Sequence, residues 1–190
     1  MRVGDQYRKR CKRYDEPGHA HELTFSCFRN QALLLEDDSR KCFADAVNAA
    51  RNKHRFDVWA YVVMPEHVHL LVRPRENDYS VSAILKSIKQ SVSRKVIARL
   101  RRESPSLLAS LASGRGDSPY CFWQDGGGYD RNIRSGATLR HAIDYIHRNP
   151  VRRGLVGRPG DWLWSSFGDW ELARAGPIPI DRESFALALA

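Results

Sequence analysis

The stretch Phe56 to Pro74, FDVWAYVVMPEHVHLLVRP, constrains the fold more than any other part of this chain. Val58 to Val63 is a hydrophobic run, Pro65 breaks it, and a second run follows at once. The pattern reads as two strands, Phe56 to Met64 and His67 to Pro74, joined by a tight break. Along an extended chain side chains alternate faces, so His67 and His69 share one face while Val68 enters the opposite layer. Two imidazoles so placed can grip one divalent cation, which suggests metal-assisted chemistry. An isolated His-x-His is common, however, and does not make a site by itself.

A second segment strengthens the case: Leu139-Arg140-His141-Ala142-Ile143-Asp144-Tyr145-Ile146-His147-Arg148-Asn149-Pro150. Leu139, Ala142, Ile143 and Ile146 recur at helical spacing. Pro150 restricts Asn149 and is expected to end the helix there. Tyr145 and Asn149, four apart, share one helix face. A phenol beside an amide carbonyl is what a tyrosine nucleophile and an additional metal ligand require; alone, Tyr145 would read as an ordinary half-buried core tyrosine.

On that reading His67, His69 and Asn149 hold one cation. Mg²⁺ prefers oxygen ligands and Mn²⁺ accepts imidazole more readily, so either serves. Tyr145 attacks phosphorus in line and forms a phosphotyrosine linkage, splitting cleavage and rejoining into two steps. Phenols ionise near about pH 10, so a group must accept the proton, and Asp144, His147 and water at the cation are all open candidates.

The partner follows from charge. Lys and Arg outnumber Asp and Glu by 31 to 22 in 190 residues, giving +9 and a pI near 9.7. Such an excess favours a polyanion, nucleic acid first. With 42% hydrophobic residues the chain is long enough for one domain with a real core. It contains no apolar run of about eighteen residues, and the N-terminus lacks an apolar signal core. Cys11, Cys27, Cys42 and Cys121 form no C-x-x-C pair and read as reduced thiols. A cytoplasmic, nucleoid-associated protein is expected.

Residues 1–18 read as a basic flexible arm, 19–175 as a single domain and 176–190 as a C-terminal tail. His21 to Phe28 reads as a first strand, and Asp37 to about Asn52 as a helix with Phe43, Ala46, Val47 and Ala50 as its apolar stripe. Ser80 caps a long helix whose buried stripe is Val81, Ile84, Leu85, Ile88, Val92, Val96 and Leu100. Lys86, Lys89, Arg94, Lys95, Arg99, Arg101 and Arg102 lie off that stripe, with no acid between Ser80 and Arg102. Charge on a helix face is commonly solubility alone, but this bias favours phosphate contact.

Residues 103–119 read as a loop with one helical turn at Leu107 to Leu111, and Arg115-Gly116-Asp117 as a chance triplet. Gly126-Gly127-Gly128 reads as a flexible run able to pass close to a ligand. The aromatic segment Asp161 to Phe167 reads as a cap on the core. The element order is that of an α+β, ferredoxin-like split β-α-β fold: an antiparallel sheet with helices on one face, plus a C-terminal helix carrying the nucleophile.

The assembled motifs resemble those of the REP-associated tyrosine transposases, relatives of the single-tyrosine HUH transposases of the IS200-like superfamily. The matching pieces are Pro65-Glu66-His67-Val68-His69-Leu70-Leu71, Phe122-Trp123-Gln124, Tyr129-Asp130-Arg131 with Ile133-Arg134, Asp144-Tyr145-Ile146-His147, Asn149-Pro150-Val151-Arg152, Gly154-Leu155-Val156 and Trp164-Ser165-Ser166-Phe167. They occur in family order over about residues 15–170.

The resemblance implies that His67 and His69 are the paired metal ligands, Asn149 a third, polar ligand, and Tyr145 the nucleophile. It also implies metal-dependent cleavage and rejoining of single-stranded DNA at hairpins, by a monomer or homodimer. Lys86, Lys89, Arg94, Lys95, Tyr129, Arg131 and Arg134 are the expected DNA contacts. Tyr129 is a second candidate phenol, set aside because a flexible glycine run precedes it. The competing reading is a catalytically silent hairpin-binding protein derived from a transposase. A phosphoesterase with paired His-x-Ser/Thr motifs is excluded, since the chain has none.

Overall fold

The computed structural model describes residues 14–114, 119–126 and 128–189; residues 1–13 of the basic arm, Arg115-Gly116-Asp117 and Gly127 lie outside them. Strands β1 (Ala20–Ser26), β2 (Phe56–Val63), β3 (His67–Pro74) and β4 (Tyr129–Ile133) form one antiparallel sheet in the order β2-β3-β1-β4. Helices α1 (Asp37–His54) and α2 (Val81–Glu103) supply the two crossovers, which completes the split β-α-β topology.

Alternation along the strands divides the interior in two. Leu23 and Phe25 of β1 and Val68, Leu70 and Val72 of β3 face α1 and α2. Ala20 and Leu71 face the other way, against Leu139, Ala142, Ile143 and Ile146 of helix α4 (Gly136–Arg152). β2, buried along its whole length, serves both layers. A register shift between Val58 and Ala60 turns both Trp59 and Ala60 toward the α4 layer. Thr24, Ser26, His67 and His69 therefore lie on the α4 side of the sheet, with Thr24 paired to His69 and Ser26 to His67.

Ser80 Oγ accepts from Ala83 N at 3.2 Å and starts α2, as its side chain suits it to do. The short helix α3 (Pro105–Ser110) follows α2 directly. The aromatic segment lines the free edge of β2: Val63 N donates to Trp164 O at 2.8 Å, and Ser166 N to Tyr61 O at 3.0 Å. Helix α5 (Phe167–Glu171) follows it. Cys27, Cys42 and Cys121 are free thiols. Among the described residues no helix is long and apolar enough to cross a membrane.

Four expectations are corrected. Helix α4 does not stop at Asn149 but continues through Pro150 to Arg152. A proline in the last turn removes only one backbone donor, and the buried side chains of Ile146, Asn149 and Pro150 hold that turn in place. Residues 176–189, expected as part of a C-terminal tail, pack onto the domain: Ile178 is fully buried, and helix α6 (Arg182–Leu189) sets Phe185 edge-on against Trp59 and Trp170.

Residues 14–16, assigned to the flexible arm, are fastened. Asn132 Nδ2 donates to Tyr14 O, Tyr79 Oη to Glu16 O, and Val81 N to Asp15. The glycine run closes on the protein itself, since a Cβ on Gly128, at φ +68°, would lie 2.2 Å from Thr24 O. Tyr129 is consequently the first residue of an ordered strand, paired with Thr24.

Candidate active site

β3 brings His67 and His69 to one face, and their Nε2 atoms lie 3.1 Å apart. Each ring is held from behind. His67 Nδ1 lies 3.0 Å from Glu66 Oε1, and His69 Nδ1 lies 2.9 Å from Thr24 Oγ1 on the neighbouring strand. Against a carboxylate Nδ1 must carry the proton, which leaves His67 Nε2 as an acceptor; the Thr24 hydroxyl can accept from His69 and leave the same arrangement there. Two such lone pairs converging on one point form a donor set for a cation.

Burial favours the neutral rings. It lowers His67 below its ordinary value, with Glu66 opposing, and together with the charge of His67 it lowers His69 to about 4. Burial works to raise the Glu66 carboxyl, but the hydrogen bond from Arg153 and the contribution of His67 outweigh it, so its pKa is lowered. Glu66 thus stands between a guanidinium and an imidazole as a charged acceptor.

α4 lies across this pair. Tyr145 is 40% exposed and packs edge-on against His69, ring centroids 5.6 Å apart. Asn149 is buried one turn on; its Nδ2 donates to Tyr145 O at 3.0 Å, leaving Oδ1 as the amide group available to a ligand. Thr24, Glu66, His67, His69, Tyr145 and Asn149 line one open cleft of about 1030 Å³. No group of three or more His, Cys, Asp or Glu side chains suited to a metal occurs among the described residues. The two imidazoles and the Asn149 oxygen are the donors present, and that set fits a divalent ion with open positions.

A second cleft of about 490 Å³ adjoins the first along β4, lined by Glu22, His69, Tyr129, Arg131, His141 and Tyr145. Arg131 pairs with the buried Glu22 at 3.3 Å, whose carboxyl burial raises and Arg131 lowers. Tyr129 and Arg131 thus border the cleft, and Arg134 follows just beyond the end of β4.

The cations of α2 are not brought there. Lys86, Lys89, Arg94 and Lys95 belong to the helix on the opposite face of the sheet, where Lys95 lies 3.8 Å from Asp45. Lys89 alone of the four reaches the β1–β4 edge, beside Gln124 and Tyr129. Spacing along a helix cannot say which face of a sheet that helix will cover.

Two candidate proton acceptors are also displaced. Asp144 pairs with Arg148 at 2.7 Å, and buried His147 meets Ser166 Oγ at 2.8 Å. Both line a separate apolar cleft with Phe167 and Trp170. His141, one turn before Tyr145, shares Tyr145's cleft instead.

Sequence reasoning leaves Glu66 and Arg152 without a role, though both fall in the matching motifs, and passes over Thr24 and Arg153. The register of β1 against β3 cannot be read from one strand, and placing the helix end at Asn149 hides both arginines.

The chain matches the family model described as "Transposase IS200 like" over residues 19–149. A REP-associated tyrosine transposase of Escherichia coli is 28% identical over 153 residues, covering 80% of this chain and 78% of the relative. A Haemophilus influenzae protein assigned to the same group is 27% identical over 142 residues, covering 71% and 76%. Among solved structures, that of a REP-associated tyrosine transposase bound to a REP hairpin superposes with a TM-score of 0.65 at 26% identity, covering 86% of this chain and 84% of the other.

Proposed function

The chain belongs to the IS200-like transposase family, and from that premise we propose that it cleaves and rejoins single-stranded DNA beside a hairpin through a 5′-phosphotyrosine on Tyr145. The observation that carries this is the convergence of the His67–His69 pair, Asn149 and Tyr145 on one cleft. The hairpin partner is inferred from the solved relative, which is bound to one.

His67, His69 and Asn149 are the residues that would hold Mg²⁺ or Mn²⁺. When bound, such an ion would withdraw charge from a non-bridging phosphate oxygen. The chain's own groups perform the remaining steps. His69 packs against the Tyr145 ring and limits its orientation. In the reaction the bond from Tyr145 Oη to phosphorus forms, and the bond from phosphorus to O3′ breaks with its electron pair on O3′. The phenol gives up one proton and O3′ takes one, so the count is unchanged. His141, one turn before Tyr145 and lining the same adjoining cleft, is the side chain that would take part in that exchange. Rejoining reverses these steps.

Tyr129, Arg131 and Arg134 would guide the strand along the β4 edge. Lys86, Lys89, Arg94 and Lys95 would meet phosphates farther from the cleft, Lys89 being the one nearest the edge.

The test uses end-labelled single-stranded hairpins from DNA flanking the gene, incubated with Mg²⁺ or Mn²⁺ and run on denaturing gels. A labelled protein adduct in wild type, absent in Tyr145→Phe with hairpin binding retained, is expected. A shifted native complex without adduct in either metal would instead identify a hairpin-binding protein that does not cut.

A further inference from the structure

The continuation of α4 past Pro150 places Arg152 at the site. Tyr145, Asn149 and Arg152 stand at i, i+4 and i+7, one face of the helix. The Arg152 guanidinium lies over the Tyr145 ring, 5.0 Å from its centroid, and lines the same cleft as His67, His69 and Asn149. Three arginines border the two adjoining clefts. Arg131 is paired with Glu22 and Arg153 with Glu66, whereas Arg152 meets no carboxylate among the described residues. A cation with no carboxylate partner among the described residues, lying over a nucleophile in an open cleft, is poised for an anion that arrives with the substrate.

We propose that Arg152 is a further catalytic residue, which donates N–H bonds to a non-bridging oxygen of the phosphoryl group as Tyr145 attacks it. The proposal rests on Tyr145 being the nucleophile. As Oη approaches phosphorus, negative charge builds on the non-bridging oxygens and on departing O3′. A guanidinium already lying over the Tyr145 ring is close to where that charge builds and can donate to it in a planar fork. It donates hydrogen bonds without transferring a proton, so the balance of the step is unaltered. In rejoining, the same cation faces the phenolate that Tyr145 becomes as a leaving group. An arginine that merely covered the ring would support its packing and be indifferent to charge on the phosphate.

The experiment separates these roles by removing the charge from the substrate. Single-turnover cleavage is measured for wild type, Arg152→Lys and Arg152→Met on two hairpins. One carries an ordinary phosphodiester at the scissile position, and the other a neutral methylphosphonate there. Hairpin Kd and melting temperature are measured in parallel.

On the phosphodiester, Arg152→Met is expected to cleave about 100-fold more slowly, with Kd and melting temperature close to wild type and Arg152→Lys in between. On the methylphosphonate, the gap between wild type and Arg152→Met closes to about threefold or less, because the methyl group removes one unit of the negative charge that the non-bridging oxygens carry in the transition state. A phosphodiester rate for Arg152→Met equal to wild type overturns the proposal. So does a 100-fold defect that persists on the methylphosphonate, which would make Arg152 a support for the ring. Failure of wild type to form an adduct on the phosphodiester would instead overturn the cleavage reading in which Tyr145 is the nucleophile, and this proposal with it.

Discussion

Replacing Glu66 by Ala is expected to weaken Mn²⁺ binding by about 10- to 100-fold, or about 1.4–2.8 kcal/mol. The magnitude follows from where the carboxylate stands. The Glu66 and His67 side chains are 18% and 13% exposed and joined at 3.0 Å, so little water is ready to take over the acceptor. Losing it frees His67 to rotate and makes its Nε2 less basic toward a cation. The backbone is not at stake, since the bond from Cys27 N runs to Glu66 O.

The other partner of Glu66, Arg153, has a side chain 56% exposed. An ion pair open to water contributes about 0–1 kcal/mol, so Arg153→Ala should shift the same Kd by less than about fivefold. The assay is titration of Mn²⁺ followed by electron paramagnetic resonance on protein without DNA. A double His67→Ala, His69→Ala variant gives the baseline, and metal-free melting temperatures control for folding. Glu66→Ala binding Mn²⁺ within about threefold of wild type would refute the reasoning, because an oriented ligand cannot lose its orienting partner at no cost.

Further expectations concern the fold and the DNA surface. Phe185→Ala should cost about 3–5 kcal/mol in urea melts, whereas in a loose tail it would cost less than about 0.5. His147 is 4% exposed, and burial lowers its pKa from 6.5 to about 4. The unfolded chain therefore binds a proton that the fold refuses, so stability contributed above pH 6.5 is lost as pH falls toward 4, by about 3 kcal/mol. In His147→Gln the slope of unfolding free energy against pH over that window should fall by one proton, and an unchanged slope would contradict the assignment. Neutralising Lys86, Lys89 and Lys95 together should flatten the salt dependence of hairpin binding by about 0.7–0.9 for each phosphate that the helix no longer neutralises, while an unaltered slope would leave α2 a solubility face.

The parts of the fold visible in the sequence are those whose signal is local. β3 is expected at His67 to Pro74 and occupies those residues, because a short valine- and leucine-rich run between Pro65 and Pro74 leaves little room for a helix. α2 begins after Ser80 for an equally local reason, a hydroxyl capping the first turn. β4 is not anticipated. YDRNI is an edge strand paired on one side only, and four of its five side chains are not fully buried, so little hydrophobic pattern marks it. Pro150 is read by its intrinsic preference, which tertiary packing overrides.

The site divides in the same way. His67, His69, Tyr145 and Asn149 can be named because each pair is close in sequence. Glu66 reaches Arg153 across 87 residues and Thr24 reaches His69 across 45, so their partnerships exist only after the sheet and α4 are assembled.

The most direct test is to locate the residue that carries the DNA. Adduct formed with wild-type protein would be digested with nuclease and trypsin and the peptides analysed by mass spectrometry. Cleavage after Arg140 and Arg148 yields His141–Arg148, whose sole tyrosine is Tyr145, while Gly116–Arg131 carries Tyr120 and Tyr129. The predicted result is a nucleotide joined through its 5′-phosphate on the His141–Arg148 peptide. The same mass increment on Gly116–Arg131, with the Tyr145 peptide unmodified, would contradict it.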